Sequence, residues 1–282
     1  MQLTDQEIVR RENLQKIKEL GFNPFPAEKF EVDFATTDYT TARYHAAMDK
    51  QLEQLKHIGA AKAPELRQAI FQNRFKAQNI LKNEEVAIKF KLTEIVEFDA
   101  GTGRDAMSLE DFLAEVKLKS LGTFEGEQVQ LAGRFMGQRG PFAKLQDAYG
   151  TIQLYMQKGK MGDTEKSKEL TDKVVKLLHI GDFIGIVGEL FVTQTGEVTI
   201  KVKRLHFLSK ALRNLPIVKR DKEGNVYDAF TDPEQRYRQR YVDLIVNPQV
   251  RQTFRLRAKI TAAIRRYLET REFLEIETPV LQ

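Results

Sequence analysis

VQLAGRFM (129–136), FAKLQD (142–147) and TIQLYM (151–156) are three short segments in which apolar and polar residues alternate, separated by a Gly-Pro turn and a Tyr-Gly turn. Alternation with a period of two is the signature of a strand with one buried and one exposed face. It sends Val129, Leu131, Ala143, Leu145, Ile152 and Leu154 inward and leaves Arg134, Phe142, Lys144, Gln146, Gln153 and Tyr155 outward. A helical pattern follows at 164–180, TEKSKELTDKVVKLLHI, with Asp163 as its expected N-cap. DFIGIVGELFVT (182–193) and EVTIKVKRLHFL (197–208) then flank Gln-Thr-Gly, a hairpin signal.

Three strands, a helix and two strands is the element order of the OB-fold, a small Greek-key barrel whose second and third strands face oligonucleotides. Other small β-barrels share this order. On the exposed side of the strands stand a phenyl ring (Phe142), an amide (Gln153) and an arginine (Arg134). Such a set suits an unstacked base, because a ring offers a stacking platform of roughly 1–3 kcal/mol and an amide reads a base edge. The same residues fit equally a ring packed under a loop and an amide filling a strand surface.

Outward from the barrel the pattern is mostly helical. Residues 4–20 read as an amphipathic helix, with Ile8, Val9, Leu14, Ile17 and Leu20 along a stripe, Arg10 off it and Gly21 as C-cap; NPFPA (23–27) then breaks the helix. Between 31 and 122 the chain suggests helices near 41–58 and 64–82, a strand EVAIKFKL at 85–92, and a helix at 109–118 capped by Ser108 with Asp111. Beyond the linker LRNLPIVKRDKEGNVYDAF come helical patterns at 232–244 and 249–271, then a strand FLEIE (273–277) ended by Pro279.

A chain of 282 residues, 41% hydrophobic and 30% charged, is long enough for two or more globular domains. No apolar run reaches the roughly 20 residues of a membrane helix, and MQLTDQEIVRREN has no apolar signal core. With no cysteine and four scattered histidines, disulfides and Cys/His zinc clusters are excluded, and a cytoplasmic protein is expected. The net charge of +5 is modest, but Lys201, Lys203, Arg204, Lys210, Arg213, Lys219, Arg220 and Lys222 form a basic band that suits a phosphate backbone. Gly101 and Gly103 lack the rest of a phosphate loop, and His179-Ile180-Gly181-Asp182 departs from the class I synthetase signature at its last position.

RYRQRYVDLIVNPQVR (236–251) resembles the hinge of bacterial-type lysyl-tRNA synthetases, and the helix leading to FLEIETPVLQ (273–282) looks like motif 1 of the class II enzymes. LAGRFMGQRGPFAKLQDAYGTIQLY (131–155) resembles their anticodon-binding barrel, and GDFIGIVGELFVTQTGEVTI and LSKALRNLP support the lysyl assignment over the aspartyl and asparaginyl relatives. The resemblance covers about 1–30 and 123–282. It implies an α+β chain: an N-terminal helical extension at 1–30, a helical insertion at 31–122, an OB-fold anticodon-binding barrel at 123–210, a linker at 211–231, and the incomplete start of a class II catalytic domain at 232–282. By the same resemblance Phe142 stacks on the central anticodon uridine, Gln153 bonds its edge, Arg134 lies beside them, and Pro279 belongs to a dimer interface. One departure is the short turn GQRGP before Phe142, where the family has a longer Gly-Lys turn; the sequence leaves open whether Arg139 replaces that lysine.

What the resemblance implies for function is the N-terminal part of a lysine–tRNA ligase. It binds tRNA-Lys, and the complete, homodimeric enzyme uses ATP and Mg²⁺. Neither cofactor is expected in this segment, which by itself is expected to bind tRNA without aminoacylating it. A stand-alone tRNA- or RNA-binding module and a dimerising regulator are the other readings the residues allow.

Overall fold

The computed structural model describes residues 3–26, 29–33, 35–36, 40–98, 102–104, 106–121, 128–216, 219–220, 226–227 and 230–277. Contacts divide the chain into two units, Met1–Arg213 and Asn214–Gln282.

The first unit opens with α1 (Asp5–Glu19), whose start is fixed by a capping box: Glu7 N donates to Thr4 Oγ1 (3.3 Å) and Thr4 N to Glu7 Oε2 (3.0 Å). It ends in a Schellman turn, with Phe22 N on Ile17 O and Gly21 N on Lys18 O, and Gly21 takes the left-handed φ of 87° as expected. The buried face differs from the apolar stripe. Ile8 and Val9 are exposed, whereas Arg10 is buried and donates to the carbonyls of Ala211 and Ile180, both at 3.0 Å. A guanidinium that finds two carbonyls is satisfied in the interior, and hydrophobic periodicity cannot show that.

Next come α2 (Thr41–Leu52), α3 (Ala63–Gln72), α4 (Ala77–Lys82), α5 (Glu84–Phe90), a two-stranded ribbon of β1 (Ile95–Glu97) and β2 (Ala106–Ser108), and α6 (Leu109–Leu121). Asp111 N donates to Ser108 Oγ (3.1 Å), the cap read from the sequence. The segment expected as a strand at 85–92 is instead α5. Asn83 caps it by accepting from Val86 N, Glu84 and Glu85 sit at the positive end of the helix dipole, and Ile88 points to solvent. The patterns at 41–58 and 64–82 are also cut short: α2 stops at Leu52, and Arg74 and Phe75 adopt left-handed φ between α3 and α4.

The barrel follows as expected: β3 (Gln128–Arg139), β4 (Phe142–Gln146), β5 (Thr151–Tyr155), α7 (Glu165–Leu177), β6 (Phe183–Val192) and β7 (Val198–Ser209). The strand order β3-β4-β5-β7-β6 closes into a ring, antiparallel throughout except for the parallel pair β5–β7. All six residues assigned to its interior are buried, and Leu131, Leu145 and Leu154 are at most 1% exposed. Full burial of each such side chain stabilises by roughly 1.5–3 kcal/mol. The N-cap of α7 is Thr164, not Asp163. Ser167 N donates to Thr164 Oγ1 (3.2 Å) and Thr164 N to Ser167 Oγ (3.0 Å), a reciprocal pair that the carboxylate one residue earlier does not make.

In the second unit β8 (Lys219–Arg220) pairs with β9 (Val226–Tyr227), and α8 (Pro233–Arg238), α9 (Arg240–Val246) and α10 (Pro248–Glu269) follow. The RYRQRYVDLIVN stretch is built around one carboxylate. Asp243, fully buried, accepts from Arg236 Nε (3.0 Å), Asn247 Nδ2 (2.7 Å) and Arg240. Burial alone would push this carboxyl up; the bonds from Asn247 and Arg236 outweigh it and hold the group below its ordinary value. Residues 273–277 do not form the expected strand. A strand needs a ladder partner, none pairs with them among the described residues, and Leu274 is 89% exposed. Pro279 lies outside the described residues.

Candidate nucleic-acid interface

β3, β4, β5 and the β6–β7 hairpin enclose an open groove of about 1430 Å³. Its floor comes from the outward positions of the alternating strands. Phe142, 37% exposed, lies 5.3 Å from the Tyr155 ring, and Tyr155 lies 6.0 Å from Phe191 in an edge-on arrangement. Phe142 and Tyr155 are cross-strand neighbours in β4 and β5, so their pairing follows from register. The result is a row of three rings on the groove floor, of which Phe142 is exposed.

Gln153 shares that floor. Its Nε2 donates to Thr199 Oγ1 (3.0 Å), and the Thr199 hydroxyl donates to Glu197 O (3.1 Å). Because that hydroxyl spends its proton on a carbonyl, it accepts from the amide nitrogen, which leaves Gln153 Oε1 as the free end. An amide oxygen facing a groove accepts from an imino N–H and rejects an unprotonated ring nitrogen. Arg139, Lys144 and Lys201 also line the groove, and none has a carboxylate partner among the described residues. The 193–197 turn forms one wall.

Of the site residues expected from the sequence, Phe142 and Gln153 are brought together and Arg134 is not. Arg134 pairs across to Gln146, at the far end of β4 from Phe142. Its guanidinium sits 4.4 Å above the Phe183 ring and donates to Gly181 O (3.0 Å), and it does not line the groove. Sequence reasoning left out Tyr155 and Phe191 as site residues and the 193–197 wall. Strand alternation marks both rings as outward; nothing local marks the turn.

Three members of the basic band are committed within the fold. Lys210 is buried against Asp182 (2.6 Å) and also donates to Leu177 O (2.8 Å), Lys203 pairs with Glu189, and Arg204 lies 3.7 Å from Asp163. Burial lowers Lys210 from the ordinary lysine value, while Asp182 pulls the other way. Asp182 also accepts from the backbone of His179 and Ala211, so the His-Ile-Gly-Asp stretch anchors the foot of β6. Lys222 and the side chains of Lys219 and Arg220 lie outside the described residues.

Among the described residues no three His, Cys, Asp or Glu groups gather as a metal site, and no helix is long and apolar enough to cross a membrane.

Against known proteins, residues 129–208 match the family described as OB-fold nucleic acid binding domain, and residues 232–282 match tRNA synthetases class II (D, K and N). The barrel and groove fall within the first match, so the chain carries an OB-fold nucleic-acid-binding domain, and its stretch from 232 on is similar to the class II synthetases. Within that class its likeness is to the lysine–tRNA ligases, of which it corresponds to an N-terminal portion. It is 38% identical to the lysine–tRNA ligase of Christiangramia forsetii and 32% to that of Porphyromonas gingivalis strain W83, in both cases over the whole chain. It is 46% identical to that of Fusobacterium nucleatum over 161 residues, 56% of the chain and 30% of that protein. The chain spans 36% of the length of the first two relatives.

Proposed function

We propose that this chain is the tRNA-reading portion of a lysine–tRNA ligase, whose barrel binds tRNA-Lys by its anticodon. The observation that carries the reading is the exposed Phe142 ring beside Tyr155 on the groove, with the Gln153 Oε1 on the same floor. A base stacked on the ring brings its Watson–Crick edge toward the amide, and uracil offers the N3–H that an amide oxygen accepts. Arg139, Lys144 and Lys201 supply the charge that holds the flanking phosphates. Arg134 acts at one remove, by fixing the foot of β6 through Gly181 and Phe183.

In this reading 123–210 is the anticodon domain and 232–282 the start of a catalytic domain that activates lysine with ATP and Mg²⁺. Dimerisation through α10 and Pro279 is supported by the resemblance and by the exposed Phe254, Ile260 and Ile264 along that helix.

The test is binding of the chain to tRNA-Lys and to the same tRNA with its central anticodon uridine changed to cytidine. The changed tRNA binds more weakly by roughly 1–3 kcal/mol. Equal binding of both, fading together with salt, leaves only non-specific charge at work and removes the reading.

A further inference from the structure

The tip of a β-hairpin is ordinarily its least constrained part. In this barrel the β6–β7 tip is engaged from outside by the helical segment that precedes the barrel. Thr41 Oγ1 accepts from Val198 N (3.3 Å), and His45 Nε2 lies 3.0 Å from Gly196 O. A carbonyl only accepts, so that ring nitrogen carries the proton. The Phe71 ring lies flush against Gly196, where a Cβ would meet ring carbons at 2.4–2.6 Å. Gly196 has a left-handed φ of 81°, so both space and backbone demand glycine there. The His45 and Phe71 rings themselves meet at a tilt, with centroids 5.0 Å apart.

The helices that present these groups are firmly held. Tyr44, Met48 and Leu52 of α2 and Leu66 and Ile70 of α3 are buried in the common core, and Arg67 of α3 binds Asp49 of α2 at 2.8 Å. Three contacts from two anchored helices therefore converge on a turn of a few residues. That turn is a wall of the groove, and Glu197 within it receives the Thr199 hydroxyl that in turn holds Gln153. The route from Gly196 and Val198 to the base-reading amide is two hydrogen bonds long.

We propose that the helical segment is a positioning element of the RNA site: Thr41, His45 and Phe71 brace the 193–197 turn and so fix the groove wall and the orientation of Gln153 for a single-stranded RNA base. The proposal rests on the groove reading above and assigns a role to the segment at 31–122 that its sequence does not suggest.

The experiment uses the full chain with variants Phe71→Ala and His45→Leu, and His45→Gln, which keeps an N–H donor. Amide hydrogen exchange is followed across 193–198, and binding is measured to anticodon stem-loops carrying a central uridine or cytidine. In Phe71→Ala and His45→Leu, exchange at 193–198 rises by about tenfold or more while β3–β5 stay protected. Preference for uridine over cytidine falls by roughly three- to tenfold, the scale of one hydrogen bond. His45→Gln keeps most of both. Should Phe71→Ala not fold, the two His45 variants carry the same comparison, since that side chain is only half-buried. Unchanged exchange, or freed exchange with base preference intact, overturns the brace. If the wild type itself shows no base preference and Phe142→Ala binds like it, the groove reading has failed and takes the brace with it. If Phe142→Ala loses the preference and the brace variants keep it, only the brace is wrong.

Discussion

Gln153 Nε2 stands 3.0 Å from Thr199 Oγ1, and that hydroxyl, on a side chain with no exposed surface, stands 3.1 Å from the carbonyl of Glu197. This two-bond relay sets which end of the amide meets a ligand. Turning Gln153 over to present its nitrogen to cytosine makes the Thr199 hydroxyl give up Glu197.

Thr199→Val, nearly the same shape without the hydroxyl, removes the relay and lets the amide turn freely. Binding of the cytidine stem-loop strengthens relative to the uridine one by about 0.5–1.5 kcal/mol. Fluorescence titration of the two stem-loops checks it; an unchanged ratio shows that the relay does not govern base choice.

Lys201 lies on the groove and contacts phosphate in the proposed mode. Lys201→Gln weakens both stem-loops alike and lowers the slope of log K against log salt by about 0.7, one single-strand phosphate contact. A slope equal to that of the wild type places Lys201 away from the backbone.

The Lys210–Asp182 pair has no exposed side-chain surface at either end. Lys210→Met leaves a buried carboxylate without its cation and destabilises the first unit by roughly 3–5 kcal/mol. Urea unfolding followed by circular dichroism reads this directly. A loss under about 1 kcal/mol shows that Arg10 and the backbone donors suffice for Asp182.

His45, His179 and His206 all sit below the ordinary histidine value of 6.5, in each case chiefly through burial. The sign follows from proton counting. Below pH 6.5 the unfolded chain takes up protons at these rings that the folded chain does not, so stability falls with pH from about 6.5 down to the folded values and is flat above. Asp147 is also partly buried, which would raise it, but bonds from Thr36, Gly150 and Tyr149 hold it below 3.8. Its contribution is present above 3.8 and is lost only as pH falls through that lower value, outside the histidine window. Urea midpoints at pH 7.5 and 5.5 test this; equal midpoints contradict it.

The barrel was legible because alternation over 129–156 and 182–208 reports a face directly, and the same alternation turns Phe142 and the half-buried Gln153 outward. What stayed hidden depends on partners distant in sequence. Arg10 is buried because two carbonyls some two hundred and one hundred and seventy positions away receive it. Arg134 turns toward Phe183 and Gly181 because β6 lies beside β3, a pairing no local pattern encodes. Residues 84–90 alternate like a strand, yet the Asn83 cap and two first-turn glutamates make a helix. Residues 273–277 have strand composition, and the described chain offers them no ladder. The brace on the 193–197 turn joins residues separated by more than a hundred positions and had no local signal at all.

The most direct measurement is a double-mutant cycle between Phe142→Ala in the chain and removal of the central anticodon base, as an abasic site, in the stem-loop of tRNA-Lys. Stacking of that base on that ring predicts a coupling of about 1–3 kcal/mol, with the ring worth little once the base is gone. Additive losses, with coupling near zero, contradict it and place the base elsewhere than on Phe142.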